Sequence, residues 1–365
     1  MMVRVYGLIL SVWGLLLTAA AAACAEQTVS GLHTHRVEPG MMPTSSSRAR
    51  NVILMIGDGM GAEHVWAAWL CNHGKLNIER FPVTGFSRTS SASHTITDSA
   101  AGGTAIACGR KAHNGHLGQT PDGRPVISLM QLLAAGGRRT GMVVTKAITD
   151  ATPAAFYAHV NDRHDTEAVA AALVNSGCRV ITGGGADCVT PAQVAELRAR
   201  GAVVRLAAPR DCLPASQRGD FLEKAVEEAL GILGQGENGF FLLVEGSCID
   251  LAAHENNLRE TVLETLDFDR AIGCVLRWMQ QHPDTLLVVT ADHQTGGLSI
   301  LGGSAARGEV RGAFATRNHS GVAVPVYAAG AGAARFGGIQ ENTEIFNKIL
   351  DAADVSGSSS APFRK

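Results

Sequence analysis

Carboxylate and imidazole side chains gather in three short stretches of the sequence that lie far apart along the chain. In chain order these residues are Asp58, Glu245, Asp250, His254, Asp292 and His293. Carboxylates and imidazoles are the ligands expected around closely spaced divalent metal ions. A serine, Ser99, lies in the segment Thr-Asp-Ser-Ala-Ala without a local base motif, and a bound metal ion would activate its hydroxyl. These residue types predict a metal-activated serine nucleophile.

The spacing inside these stretches favours metal binding. Asp250 and His254 are four residues apart, so a helix would present both on one face, where they could bind one ion. Glu245, at the end of the preceding apolar run, could reach a second ion. Asp292 and His293 precede a Gln-Thr-Gly-Gly turn that lets neighbouring side chains converge. His254 alone would be interpreted as a core histidine, and that interpretation is kept for His94, His113, His116 and His159.

The turn around Asp58 allows a second interpretation. Gly57 to Ala62 match the dinucleotide-binding pattern G-x-G-x-x-A after an apolar run. Asp58 argues against a dinucleotide because its carboxylate would lie in the turn that must approach a pyrophosphate. Flanking glycines suit a metal ligand, since they let bulky groups come close. An ordinary strand-to-helix turn with a capping aspartate stays open as the alternative.

Ser99 lies where a helix is predicted to begin, with Thr97 or Asp98 as its cap. The positive end of a helix favours an alkoxide or a covalent phosphate there, and N–H groups around Ala100 could bind phosphate oxygens. A purely capping role for Ser99 is the alternative. The sulfatase pattern of Cys or Ser followed by x-Pro-x-Arg is excluded, because Ser99 precedes Ala-Ala-Gly-Gly and the segment at Cys212 lacks the arginine.

A third polar segment could complete the site. It contains Asp150 and Thr152, with Thr152 in the N-cap position of a helix that begins at Pro153. Arg163 follows, and its guanidinium could form a bidentate pair with phosphate. A surface arginine without function is the alternative for Arg163 taken alone.

Alternating apolar runs and amphipathic stretches indicate the elements that must position these residues. Strands are predicted at 52–56, 140–144, 179–182, 203–206, 240–244, 286–290 and 323–328. Helices are predicted at 64–71, 99–108, 127–135, 166–176, 191–200, 221–233, 258–280 and 343–353. This pattern predicts an α/β fold, with a mostly parallel central sheet and helices on both faces. Asp58, Glu245 and Asp292 each follow a strand, so all three are expected at the sheet edge where such folds bind ligands.

Composition and the chain ends set further expectations. With 365 residues and a net charge of −2, the chain gives no electrostatic case for nucleic acid as a partner. Residues 1–25 are predicted to be an export signal, for a periplasmic or extracellular protein, and whether Cys24 carries a lipid stays open. A flexible arm is predicted at 26–49, one catalytic domain at 50–355 and a disordered tail at 356–365. No transmembrane segment is expected after the signal. Cys178 and Cys188 are the favoured disulfide pair, with Cys212 as competitor.

Six ordered motifs between residues 50 and 330 resemble the alkaline phosphatase family of metal-dependent phosphomonoesterases. They are GDGMG, TDSAAGGTA, DATPAAFYAHVNDR, EGSCIDLAAH, TADHQTGG and NHSGVAVPVYAAG. The resemblance implies two zinc ions (Zn2+) and one magnesium ion (Mg2+). The first zinc set is Asp250, His254 and His319. The second zinc set is Asp58, Asp292 and His293. The magnesium set is Asp58, Thr152 and Glu245, with Asp150 in its outer shell. Ser99 would be the nucleophile and Arg163 would bind the phosphate.

Two features depart from that family's pattern. Leu251 stands where relatives often carry a lysine or histidine, which implies looser phosphate binding. The segment between His293 and His319 is short, which implies a small crown insertion, an open site and a homodimer, if one forms, that rests on other surfaces. The leading hypothesis is an exported phosphatase for small phosphate monoesters. A phosphodiesterase or phosphonate monoester hydrolase on the same scaffold, and a non-catalytic zinc- or phosphate-binding protein, are the alternatives.

Overall fold

The structure is a computed structural model that describes residues 25–37, 39–45 and 47–355. The predicted export signal, apart from its last residue, lies outside the described residues, as do Cys24 and the predicted tail. In the described parts of the chain, no helix has the length and apolar character that a membrane crossing requires.

The strands of the fold are numbered in chain order. They are β1 (Gln27–Val29), β2 (Thr44–Ser45), β3 (Asn51–Gly57), β4 (Val83–Arg88), β5 (Arg139–Ala147), β6 (Val180–Gly184), β7 (Val203–Leu206), β8 (Phe240–Gly246), β9 (Thr285–Thr290), β10 (Gln294–Thr295), β11 (Leu298–Ser304), β12 (Glu309–Phe314), β13 (His319–Ser320), β14 (Val324–Ala331) and β15 (Gly338–Glu341). Ten of them form one sheet in the order β15-β4-β14-β9-β3-β8-β5-β6-β7, with β2 paired to β14.

The helices are numbered in the same way. They are α1 (Ala62–Cys71), α2 (Ser99–Cys108), α3 (Leu129–Ala135), α4 (Ala151–Ala154), α5 (Thr166–Val174), α6 (Pro191–Ala199), α7 (Ala215–Arg218), α8 (Phe221–Leu233), α9 (Cys248–His254), α10 (Leu258–Met279) and α11 (Asn342–Ala352). Short 3-10 helices lie at Asn77–Arg80, Ala305–Arg307 and Ala333–Phe336.

The central strand β3 shows why the sheet has a core on each face. All of its residues are buried, and successive side chains alternate between two apolar clusters. Leu54 packs on the face covered by α2, α5 and α6, whereas Met55 packs on the face covered by α1, α8 and α10. A continuous apolar run is typical of a parallel strand covered on both faces. The predicted α/β fold with helices on both faces is confirmed.

Parallel pairing brings the ends of four strands to one edge. β3 runs parallel to β8, with Gly57 opposite Gly246, and to β9, with Ile56 opposite Thr290. β8 runs parallel to β5, where Val144 lies opposite Glu245. The loops after β3, β5, β8 and β9 therefore leave the same edge of the sheet, the place where α/β folds bind ligands.

The sheet is mixed beyond β9. β14 is antiparallel to both β9 and β4, a direction that the apolar pattern of the sequence does not specify. The segment between His293 and His319 forms the β11–β12 hairpin, to which β1 adds a third strand. This small sheet is the structure of the predicted short crown segment.

The segment predicted to be a flexible arm is docked on the domain where the structure describes it. Val29 pairs with Val310 of β12, and both Val29 and Met42 are buried. His35 Nε2 lies 2.7 Å from Asp269 Oδ2. This polar segment is ordered for two reasons. Val29 and Met42 are buried in the core, and the edge strand β12 offers backbone groups that pair with β1. A single catalytic domain over 50–355 stays a prediction.

The predicted disulfide is wrong, because every cysteine from Cys71 to Cys274 is a free thiol. Cys178 is buried, with its Sγ 3.2 Å from Sδ of Met130. Burial raises the pKa of the Cys178 thiol to about 11. Cys188 lies in the loop after β6 and is only partly buried.

Candidate metal and phosphate site

The first group of candidate ligands forms where β3 and β9 end. His293 Nε2 lies 3.5 Å from Asp58 Oδ1 and 3.2 Å from Asp292 Oδ2, and all three side chains are fully buried. One ligand atom from each residue fits within a span of 4.8 Å. The turn that carries Asp58 includes Gly59 at φ 71°, and a Cβ there would lie 3.1 Å from Asp250 Oδ1. Glycine at this position therefore lets the turn that carries Asp58 lie against Asp250.

The second group is built on α9 and β13. His254 Nε2 lies 3.2 Å from Asp250 Oδ1 and 3.1 Å from His319 Nε2. His319 Nε2 lies 3.6 Å from Asp250 Oδ1. The residues predicted to bind one zinc therefore meet around a common point, and Asp250 and His319 also come within 4.8 Å of His293. The two groups are adjacent.

The other nitrogen of each imidazole fixes which tautomer is present. Nδ1 of His254 lies 2.5 Å from the carbonyl of Arg317, and Nδ1 of His319 lies 2.9 Å from the carbonyl of Thr97. A carbonyl only accepts, so each Nδ1 must carry the proton and each Nε2 turns a lone pair toward the carboxylates. Such second partners are what orient metal-binding histidines.

Thr295 gives His293 the same orientation. Its hydroxyl donates to Asp250 Oδ1 at 2.6 Å, so its oxygen accepts from Nδ1 of His293 at 3.2 Å. Nε2 of His293 is then unprotonated. Burial lowers the pKa of His293 to about 4, and burial together with His293 lowers the pKa of His319 to about 4, so both imidazoles are neutral at physiological pH.

Several buried oxygen atoms in this region have no hydrogen-bond partner among the described residues. They are Asp58 Oδ1, Asp150 Oδ2, Thr152 Oγ1, both carboxylate oxygens of Glu245, and Asp292 Oδ2. Each unsatisfied buried polar atom costs about 1–3 kcal/mol, so a set this dense calls for cations. Burial and neighbouring carboxylates raise the pKa of Glu245 to about 8 and that of Asp292 to about 6. The residues present therefore fit divalent metal ions.

Ser99 is the first residue of α2 and is buried beside the first group. Its Oγ lies 3.2 Å from Nε2 of His293. Asp98 caps the helix, with Oδ1 accepting from the backbone N–H of Ala101 at 2.9 Å. Gly102 and Gly103 allow the helix to pack closely, since a Cβ on Gly102 would lie 3.1 Å from the carbonyl of Asp292. The small residues after Ser99 thus place the hydroxyl against the metal ligands.

Arg163 lies across the first turn of the same helix. Its guanidinium is 3.3 Å from Asp150 Oδ1 and 3.6 Å from Asp98 Oδ2. The backbone holds this arrangement, because Gly115 N donates to Asp98 Oδ2 and Gly115 O accepts from the Arg163 N–H. Arg163 is mostly buried and remains charged, which suits an anion-binding role.

Sequence reasoning missed two buried residues of the site, and the first of them is Lys146. Its Nζ lies 3.0 Å from both Asp58 Oδ2 and Asp250 Oδ2. Burial alone would lower the pKa of Lys146, but the carboxylates of Asp58 and Asp250 hold it well above its ordinary value. The only sequence signal was a single lysine inside the apolar run of β5. Thr295, which links two ligands through hydrogen bonds, was also missed.

His113, His116, His159 and Leu251 are not members of the two ligand groups. His159 has a structural role, with Nδ1 facing the carbonyl of Gly118 and Nε2 facing Gln131. His113 and His116 contact each other with ring centroids 5.5 Å apart. Leu251 is 38% exposed and brings no charge to the site.

Known proteins are similar to this chain in sequence and in fold. Residues 49–193 and 215–310 match the family model described as alkaline phosphatase. The chain is 32% identical to streptomycin-6-phosphate phosphatase of Streptomyces griseus, over 83% of this chain and 90% of that protein. It is 33% identical to alkaline phosphatase 4 of Bacillus subtilis, over 69% of this chain and 62% of that protein. A solved structure of an alkaline phosphatase variant from the Antarctic bacterium TAB5, with Mg bound, aligns with a TM-score of 0.80 at 32% identity and covers 85% of this chain and 99% of that chain.

The fold and the metal-binding site therefore define a phosphoric monoester hydrolase. The chain belongs to the alkaline phosphatase family, as the motifs in its sequence predicted.

Proposed function

We propose that this protein hydrolyses small phosphate monoesters through a phosphoserine on Ser99, in a site that binds two zinc ions and one magnesium ion. The observation that carries this proposal is the position of the Ser99 hydroxyl, 3.2 Å from Nε2 of His293 in the first ligand group. When bound, the ions supply Lewis-acid chemistry that favours ionised serine and water oxygens and offsets charge on a departing alkoxide.

The positions of the three imidazoles support two zinc sets. Asp58, Asp292 and His293 form the set beside the nucleophile. Asp250, His254 and His319 form the set on the side of the leaving group. The magnesium set comprises Asp58, Thr152 and Glu245, with Asp150 further out. Sets that include imidazole suit zinc, and all-oxygen sets suit magnesium.

Ser99 carries the covalent step. Its hydroxyl gives up its proton to solvent as Oγ attacks phosphorus, the bond from phosphorus to the ester oxygen breaks, and the departing alkoxide takes up a proton from solvent. Water then attacks the phosphoserine from the side that the alcohol left, the bond from phosphorus to Oγ breaks, and inorganic phosphate departs as Ser99 regains its proton. The first turn of α2 stabilises the phosphoryl oxygens, through N–H groups such as that of Ala100.

Arg163 orients the phosphoryl group. Its guanidinium is held by Asp98 and Asp150, so its side-chain entropy is already lost before substrate arrives. Leu251, next to Asp250, offers an apolar and half-exposed surface instead of a charge. With few polar groups directed at the leaving group, we expect broad selectivity among small phosphate monoesters.

The test is phosphate release from p-nitrophenyl phosphate by the wild type and by Ser99→Ala, each before and after chelation and after zinc is restored. We expect activity that chelation removes and zinc restores in the wild type, and near-background turnover in Ser99→Ala. Wild-type rates in Ser99→Ala would rule out the covalent route.

A diesterase or phosphonate monoester hydrolase on this scaffold is tested by its substrate. Turnover of bis(p-nitrophenyl) phosphate is expected to be much slower than that of the monoester. The all-oxygen set around Thr152 and Glu245 favours the monoesterase, because the magnesium ion that it would hold supplies positive charge for a phosphate with a second ionised oxygen. Faster turnover of the bis ester would overturn this assignment.

A further inference from the structure

Lys146 lies between the two ligand groups and contacts both. Its side chain is 8% exposed, and its Nζ lies 3.0 Å from Oδ2 of Asp58 and 3.0 Å from Oδ2 of Asp250. A third carboxylate oxygen, Oδ2 of Asp150, lies 3.8 Å away. A buried ammonium among three carboxylates is a strongly paired charge, and removal of one partner from such a group is costly.

The backbone directs Lys146 into this position. β5 and β6 pair regularly up to Val143 opposite Thr182, and then Ala147 lies opposite Gly184. Four steps along β5 therefore match two steps along β6, so β5 bulges just where Lys146 occurs. Bulges of this kind re-aim a side chain and are common beside active sites.

The residues on either side of Lys146 are held firmly. The carbonyl of Thr145 accepts from the N–H of Cys212 at 3.0 Å, and its hydroxyl accepts from the N–H of Cys248 at 3.1 Å. The N–H of Ala147 donates to Asp211 Oδ1 at 3.1 Å. The bulge is thus tied to α9, which carries Asp250, and to the loop that precedes α7.

The two oxygens of each bridged carboxylate face different partners. Oδ1 of Asp58 lies toward His293, and Oδ1 of Asp250 lies toward His254. The Oδ2 atoms of both carboxylates are taken by Lys146. Lys146 therefore leaves one oxygen of each carboxylate for the imidazole groups and occupies the other.

We propose that Lys146 is a positioning residue that joins Asp58 to Asp250 before metal ions bind and that competes with the magnesium ion for Asp58. The inference rests on the proposed metal sets. Zinc sites formed with the Oδ1 atoms keep this bridge intact. The third cation, which needs Asp58 together with Thr152 and Glu245, must share Asp58 Oδ2 with the ammonium and so binds more weakly than it would without Lys146.

The test compares Lys146→Met, which keeps the length of the side chain without its charge, with Lys146→Arg, which keeps the charge. Lys224→Met is the matched control, because Lys224 forms an exposed ion pair with Asp220 and its removal changes net charge equally. Each protein is stripped of metal at alkaline pH, and its melting temperature is measured. A separate stripped sample is reloaded with zinc for metal analysis and then titrated with magnesium by calorimetry.

We expect the stripped Lys146→Met protein to melt about 5 °C or more below the wild type, because an unpaired set of buried carboxylates remains. We expect zinc content to be unchanged and magnesium to bind more tightly, on the order of tenfold. Lys146→Arg and Lys224→Met should keep wild-type values. An unchanged melting temperature, or magnesium affinity that is equal or weaker in Lys146→Met, overturns the inference.

If stripped Lys146→Met is unfolded, Lys146→Arg carries the test, and an arginine variant equally unfolded overturns the inference. Failure of the proposed function is distinguishable from failure of this inference. If the wild type binds no zinc, both the proposed function and the role of Lys146 are wrong. If the zinc-loaded wild type forms phosphoserine but Lys146→Met has the wild-type melting temperature and magnesium affinity, only the role of Lys146 is wrong.

Discussion

The hydroxyl oxygen of Ser99 lies 3.2 Å from Nε2 of His293, a nitrogen that carries no proton because Nδ1 of the same ring donates to Thr295. The first residue of a helix is thus in direct contact with a residue that follows a distant strand. A hydroxyl beside an unprotonated imidazole and two buried carboxylates is arranged for ionisation once cations are bound.

Arg163→Ala is expected to weaken the binding of substrate and of product phosphate. Loss of hydrogen bonds from a charged donor costs about 1.5–3 kcal/mol, so KM and the inhibition constant for phosphate should rise about tenfold to a hundredfold. Steady-state kinetics with phosphate as inhibitor measures both. Arg200→Ala is the control, because Arg200 is exposed and pairs with Glu196 on α6. Equal effects of the two variants would contradict a role of Arg163 at the phosphate.

Gly59→Ala should weaken metal binding. Gly59 has φ 71°, and a Cβ there would lie 2.6 Å from Thr295 Oγ1. Gly177→Ala is the matched control, since Gly177 also has φ 71° and has no atom within 4 Å of its Cβ position. Both variants should lose about 1–2 kcal/mol of folding stability through backbone strain, but only Gly59→Ala should lose zinc in competition with a chelator. Equal zinc retention by the two would contradict the tight packing inferred here.

The metal-stripped protein is expected to lose stability as pH rises. Burial, with Asp250, raises the pKa of Asp292 to about 6, and burial, with Asp150, raises the pKa of Glu245 to about 8. A carboxyl whose folded-state pKa is raised stabilises the fold below its unfolded value, near about 4, and this stability is lost as pH rises through the folded-state value.

Thermal unfolding in chelator between mildly acidic and alkaline pH measures this effect. The melting temperature should fall by about 5 °C or more toward alkaline pH, and bound metal ions should abolish the fall because they favour the ionised carboxylates. A stripped protein that becomes more stable with rising pH over this window would contradict the prediction.

Asp269→Ala should destabilise the fold by about 2–4 kcal/mol, because it leaves buried donors unsatisfied. The carboxylate of Asp269 accepts from the backbone N–H of Asn77 at 2.8 Å and of Ile78 at 3.0 Å, and also lies 2.7 Å from His35. Denaturant unfolding of the metal-loaded protein gives the free energy. His35→Ala is the comparison and should cost less, since it leaves both backbone bonds in place. A larger loss in His35→Ala would contradict this order.

The sequence predicts the site residues that directly follow strands. It does not predict those whose direction depends on a local distortion of the backbone, such as a bulge. Asp58, Glu245 and Asp292 could be placed at one edge because parallel strands end together. Lys146 could not, because its direction depends on a bulge in β5 that appears only as a register shift against β6. The sequence predicts a flexible arm around Val29 and Met42, since isolated apolar residues among polar ones give no periodic signal.

Which ligands come together in one group depends on distances that only the folded chain shows. The sequence shows that Asp250 and His254 share a helical face, and the structure adds His319 at 3.1 Å from His254. The antiparallel direction of β14, which leads away from His319, depends on pairing with β9 and β4 that no local pattern encodes.

The central claim is that the phosphoryl group passes through Ser99. Zinc- and magnesium-loaded protein is mixed with a phosphate monoester, quenched in acid during turnover, digested and sequenced by mass spectrometry. Ser99→Ala and the control variant Ser91→Ala, at a partly exposed serine, are treated in the same way. We predict one phosphoryl group, located on Ser99, in the wild type and in Ser91→Ala. Full turnover by Ser99→Ala, or phosphate found on another residue in the wild type, would contradict the account.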